Sequence, residues 1–183
     1  MESLQKSSED KVDELIAELK SDYGEFHAKE KEWKVSADGF ETEAENFRNG
    51  GYGGAGIWLT NNNGEVLLVK NKGDEGWSDP GGHQENEESF EEAAKRETKE
   101  ETGVEAQITG IEAVDKIKLQ NEENEDKVLY NPIIVFKGKY VSGHPEPQQS
   151  EIKQLKWWDK HPEKVLYEDL KQFTIPAKEE EDQ

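Results

Sequence analysis

The stretch SFEEAAKRETKEETGV, residues 89–104, carries its own punctuation. Ser89 followed three residues on by Glu92 is a capping box, in which two side chains satisfy free backbone donors of a first helical turn. Gly103 supplies the left-handed residue on which a helix stops. The spacing predicts a helix over 90–102. Strand patterns flank it. Ile57–Leu59 and EVLLVKN, joined by a turn at Asn63-Gly64, come before. VEAQITGIEAVDKIKL (one or two strands), KVLYNPIIVFKGKYV and EIKQLKWWDK come after. A short helix is expected in HPEKVLYEDLKQF, with Pro162 in its first turn and His161 at its N-terminal edge. Helices set between groups of strands imply a mixed α/β sandwich, not a doubly wound parallel sheet.

Upstream, Val12, Leu15, Ile16, Leu19, Tyr23 and Phe26 recur at spacings of three and four, one face of a helix. This predicts a helix over 8–34 with Ser8 as N-cap. Residues 35–50 are polar and glycine-bearing and read as a linker. The expected organisation is a helical extension and linker over 1–46, a main domain over 47–176, and a disordered acidic tail over 177–183. The apolar stripe needs cover, from the main domain or from a second subunit in a homodimer.

Composition excludes several classes. The net charge of −20 disfavours nucleic acid and anionic membranes, both of which need a positive surface. The chain has no cysteine, which rules out disulfides, thiolate nucleophiles and Cys-ligated zinc. No stretch has the length of a membrane span or the apolar run of a signal peptide, so the expected location is the cytoplasm. The acid excess fits either a protein from a high-salt organism or an acidic protein with charged tails. The preference for Glu (32) over Asp (11) and Lys (21) over Arg (2) does not match common salt adaptation.

The predicted helix has an unusual wheel. At about 100° per residue, Ala93, Ala94, Glu97 and Glu101 fall within about 60° of Phe90, and Glu100 within about 80°. Lys95, Lys99, Glu91 and Glu92 turn away, as surface residues would. Three carboxylates therefore continue an apolar stripe. Such a cluster needs raised pKa values or a bound cation, and oxygen-only ligation suits Mg²⁺ or Mn²⁺.

Gly82, Glu88, Arg96, Glu97, Glu100, Glu101 and Gly103 fill every fixed position of the pattern G-x5-E-x7-R-E-U-x-E-E-x-G-U, where U is apolar, and Val104 fills its last position. On these residues the chain resembles the Nudix hydrolase family. Thr98 stands where an apolar residue is usual, and Glu87 where many members carry glycine. The resemblance implies an α/β/α Nudix sandwich and cleavage of the pyrophosphate linkage of a nucleoside diphosphate joined to another moiety: an ADP-ribose-like sugar, a dinucleotide or an NTP. It implies a Mg²⁺ site (Mn²⁺ as alternative) on Glu97, Glu100, Glu101 and the carbonyl of Gly82. Arg96, Glu88 and Gly103 become structural. Glu101, Glu100 and Glu151 become the catalytic candidates, and Glu85 a further metal contact or a solvated acid. A non-catalytic nucleotide-binding module is the alternative, although such modules usually lose the metal glutamates. Isomerases of this fold rely on a cysteine that is absent here. Trp58, Tyr52, Trp77 and Tyr130 are candidates for stacking a base, Lys70, Lys72, Lys116 and Lys118 for meeting phosphates, and His83 for touching substrate. Each equally suits a core or surface role.

Overall fold

The computed structural model describes residues 2–177. The acidic tail therefore lies, from residue 178 on, outside them. One mixed sheet organises the chain. Its strands are β1 (Ala28–Val35), β2 (Gly54–Thr60), β3 (Val66–Asn71), β4 (Gly81–His83), β5 (Glu105–Asn121), β6 (Val128–Ser142) and β7 (Ile152–Trp158). The order is β1-β5-β6-β2-β3-β7, with β4 paired to β2. The β1/β5 and β6/β2 pairs are parallel and the others antiparallel.

Three layers result. Helices α1 (Leu4–Tyr23) and α3 (Phe90–Thr102) cover one face, where Val12, Leu19, Phe90 and Ala94 pack with Ile57, Ile134 and Phe136. The other face is shared. Helix α2 (Ala37–Arg48) packs Phe40 and Ala44 on Ile117, Leu119 and Leu129. The C-terminal segment packs Leu170, Phe173 and Ile175 on Trp58, Val66 and Leu68. The expected α/β/α sandwich is the observed one.

The N-terminal region departs from the sequence pattern in three ways. The first helix ends at Tyr23, and residues 28–35 form a strand instead of continuing it. Ser3, not Ser8, caps the helix, its side chain accepting from the amide of Lys6. Ser8 is instead buried, donates to the Gln5 carbonyl and accepts from the amide of Tyr130 on β6. The stretch expected to be a linker is α2, capped by Ser36, which accepts from Gly39 N–H. Periodicity over 8–26 was real. Its extension failed because AKEKEWKV gains more as an edge strand on β5 than as a charged helical turn. Of the short helix expected in HPEKVLYEDLKQF, a 3₁₀ turn over Glu168–Gln172 forms, and Tyr167 gives it no side-chain cap. His161 instead stacks on Trp58 and bonds through Nε2 to the Phe173 carbonyl.

Helix α3 matches its predicted span. Ser89 Oγ accepts from Glu92 N–H, Glu92 accepts from Ser89 N–H, and Gly103 stops the helix at φ 74°. Thr98, at the apolar position of the motif, is fully buried and its Oγ1 has no hydrogen-bond partner. A buried unsatisfied hydroxyl costs about 1–3 kcal/mol, whereas an apolar group of the same shape does not. Thr98→Val should therefore raise the unfolding free energy by about 1 kcal/mol, seen as a higher urea midpoint with an unchanged m-value.

Candidate active site

The site begins with a turn built from small residues. Ser78 pairs across to Val69 by backbone bonds of 2.8 and 2.9 Å, and Asp79 and Pro80 lead into β4. Gly81 and Gly82 then lie against β2 so closely that side chains would not fit. A Cβ on Gly81 would come within 2.6 Å of the Ala55 carbonyl oxygen, and one on Gly54 within 2.7 Å of the Gly82 oxygen. Gly82 faces the end of Glu97. A Cβ there would sit 2.5 Å from Glu97 Cδ.

Residues 84–88 fold back onto α3 through Arg96. Its Nε donates to Glu88 Oε1 at 2.7 Å, and its Nη2 to Glu88 Oε2 at 3.1 Å and to the His83 carbonyl at 3.0 Å. Its Nη1 donates to Glu97 Oε1 at 2.8 Å and to Glu100 Oε2 at 3.3 Å. Arg96 thus ties the loop to the helix. The guanidinium holds the Glu88 carboxyl below the usual glutamate range. Glu85 is a looser neighbour, 3.9 Å from Arg96 Nη2.

The three glutamates of the helix stripe occupy three different environments. Glu101 is buried, at 6% exposure, and accepts one bond from Gly81 N–H at 3.1 Å. Burial pushes its pKa up to about 8, with the charges of Glu97, Asp79 and Glu151 adding to the rise. Glu97 is mostly enclosed, with 16% of its side chain exposed, and Glu100 is open to solvent, at 52%. Among the described residues no three acids or histidines converge in a closed metal-ligand set. Glu91 and Glu92, read as surface acids, have structural partners: Tyr23 Oη donates to Glu91, and Glu92 completes the capping box.

A cavity of about 410 Å³ opens beside this centre, within the roughly 300–1,000 Å³ usual for small-ligand sites. Glu101, Gly82, Gly81 and Asp79 line one end. Glu151, outside the cavity lining, is exposed just before β7, where its backbone oxygen accepts from Lys72 N–H at 2.8 Å. Its charge reaches Glu101, but its side chain does not line the site. Asp79 escaped the sequence reading. Its carboxyl accepts from Tyr167 Oη, and enclosure by the protein raises its pKa to about 6. The only signal was an acid directly before PGG. Tyr167, some 90 positions along the chain, has no local signature at all.

The stacking candidates lie elsewhere. Trp58 and Tyr52 are buried in the core, and Trp77 packs against Trp158. Tyr130 lies against the core that α1 and α3 cover, with Lys116 over its ring. Lys116 is bound to Glu9 and Asp13, and Lys118 to Glu32. Lys72 bonds the Gln149 carbonyl, and Lys70 stands over the Trp77 ring. None of these eight candidates lines the cavity. His83 does, and its Nε2 lies 3.5 Å from Glu43 Oε1. No helix among the described residues is long and apolar enough to cross a membrane.

A family model described as NUDIX domain matches residues 53–175. The chain belongs to the NUDIX family. A Bacillus subtilis (strain 168) protein named "Putative 8-oxo-dGTP diphosphatase" is 34% identical over 105 residues, 57% of this chain and 64% of that relative. The chain thus spans just under two thirds of that curated relative's length. Among solved structures, a MutT NUDIX hydrolase from Burkholderia pseudomallei superposes with a TM-score of 0.51 at 23% identity, over 63% of this chain and 90% of that one. An ADP-ribose pyrophosphatase from Streptococcus suis gives 0.51 at 15% identity, over 72% of this chain and 92% of that one. At these identities the likeness is one of fold.

The burial of Glu101 makes a stability prediction. An acid raised from 4.5 to about 8 keeps its proton in the folded state while the unfolded chain has lost it. The folded protein then binds more protons across that window, and stability falls as pH rises through it. Metal-free protein should lose melting temperature between pH 5 and pH 8, as read by differential scanning calorimetry. Glu101→Gln, which cannot ionise, should flatten that slope. It should be the more stable protein at pH 8, with the difference shrinking toward pH 5.

Proposed function

We propose that this chain is a divalent-metal-dependent pyrophosphohydrolase that cleaves the phosphoanhydride of a nucleoside diphosphate linked to another group. Glu101 carries the proposal. A buried carboxyl at the end of a ligand-sized cavity, with a single amide donor and three acids nearby, is disfavoured in its charged form, and a bound cation would reverse that. The membership of the NUDIX family and the curated relative support the same reaction class.

The residues fit a hard cation. The donors at that end are all oxygens: the carboxyls of Glu101 and Glu97 and the carbonyl of Gly82, kept open because Gly54 has no side chain. Glu97, Glu100, Glu101 and Gly82 would hold Mg²⁺, or Mn²⁺ in its place. When bound, the ion supplies charge neutralisation for the diphosphate and a more acidic water.

The protein's own groups do the rest. The Arg96 clamp fixes loop and helix, so that Glu101 and Gly82 keep their relation as substrate enters. Glu101, facing the cavity, takes the proton of the attacking water while that oxygen bonds to phosphorus. The bridging P–O bond breaks and the pair of electrons leaves with the second phosphate. Of the three catalytic candidates only Glu101 lines the cavity. Glu100 is tied to Arg96 at the surface and Glu151 acts at a distance, through its charge.

A panel of ADP-ribose, NADH, diadenosine polyphosphates, NTPs and dNTPs, assayed with Mg²⁺ at low and at molar KCl, tests this reading. One substrate class should be cleaved, and Glu101→Gln should lower kcat by about two orders of magnitude or more. Activity confined to molar salt would tie the acidic surface to a high-salt milieu. A folded protein that cleaves none of the panel would end the proposal in favour of a binding module.

A further inference from the structure

The cavity has a second end, and the N-terminal segment builds it. Strand β1 pairs with β5 so that Lys31, Trp33 and Val35 stand opposite Ile117, Leu119 and Asn121. Residues paired in register share a face, so Trp33 stands on the face that carries α2. It lines the same cavity as Glu101, together with Val35, Ile117 and Ile133. It also lines a second cavity, of about 460 Å³, that shares Ile133, Val135, Leu166 and Tyr167 with the first.

Trp33 is out of keeping with the other tryptophans. Trp58 is buried, and Trp77 and Trp158 pack on each other, as Trp157 does on Tyr140. Trp33 is 45% exposed and, among the described residues, makes no ring contact and has no cation over it. An indole left half in water at a cavity wall is a free stacking surface. The same cavity carries an acceptor. Glu43 on α2 accepts from Asn131 Nδ2 at 2.9 Å, while Asn131 Oδ1 is buried and has no partner among the described residues. Both side chains line the cavity.

We infer that Trp33 stacks the nucleobase of the substrate, and that the base is a purine carrying an amino group, adenine or guanine. The inference rests on the hydrolase reading for the diphosphate end of the ligand and adds the other end. A base stacked on Trp33 keeps its phosphates directed toward Glu101. A purine covers more of an indole than a pyrimidine does. Its amino group donates to the carboxylate of Glu43. Trp33, Val35 and Glu43 all precede residue 53, so a segment outside the matched family region supplies the base subsite.

Nucleosides test this without metal or catalysis. The five tryptophan indole N–H resonances can be followed by NMR in the full chain, with that of Trp33 assigned by its loss in Trp33→Phe. Adenosine or guanosine should shift the Trp33 resonance most, and uridine should shift it little. Trp33→Ala should weaken purine nucleoside binding about tenfold, and Trp33→Phe should retain most of it. In turnover, Trp33→Ala should raise KM with kcat little changed. An unmoved Trp33 resonance at saturating nucleoside, or equal affinity in the alanine variant with an intact amide spectrum, would overturn the inference. Hydrolysis whose KM ignores Trp33 overturns it and leaves the hydrolase reading standing. Purine binding at Trp33 in a protein that cleaves nothing supports it and ends the hydrolase reading alone.

Discussion

One guanidinium holds the site together. Arg96 grips Glu88 with two bonds, the His83 carbonyl with a third, and Glu97 with a fourth. Paired, fork-shaped bonds of this kind fix orientation as well as distance. They tie the 84–88 loop to the middle of α3. The loop in turn continues from Gly82, which pairs with Ala55 on β2. Without the clamp, the loop, the helix and the glycine turn would have no common reference. With it, Glu101 and the Gly82 carbonyl are placed on the same cavity wall.

That placement concentrates negative charge where solvent is scarce. Glu101 and Asp79 both have carboxyls whose ionised form is disfavoured by enclosure. Their compensation comes from the Gly81 amide for Glu101, and from the Tyr167 hydroxyl and a backbone hydrogen bond for Asp79. Sites of this kind store unfavourable electrostatics for use on a ligand. The surface tells a different story. Acids such as Asp10, Glu32 and Glu125 pair with lysines at the exterior, where such contacts contribute little, and the acid excess there bears on solubility more than on chemistry.

The N-terminal segment is part of the working molecule. Helix α1 buries Val12 and Leu19 in the main core. Strand β1 extends the sheet at its β5 edge, and α2 closes the face next to it. Together they turn an open sheet face into a walled cavity with Trp33 on its rim. The family match begins at residue 53, so part of the cavity wall comes from residues outside the matched region.

The sequence alone determined the parts that local rules govern. Helix α3, its capping box and its glycine stop follow from side chains within four residues of each other. The pairing of Arg96 with Glu88 follows from the motif, and the inward turn of Glu97 and Glu101 from helix geometry. Tertiary structure decided what depends on distant neighbours. It made a strand of residues 28–35 and a helix of the expected linker, because β5 offered an edge and Phe40 a place to bury. It separated three similar glutamates into a buried, an enclosed and an exposed one. It brought Asp79 to Tyr167 and Trp33 to the cavity, contacts that no spacing encodes. Burial is a property of what folds over a residue, and the chain brings those segments together only when the whole sheet has formed.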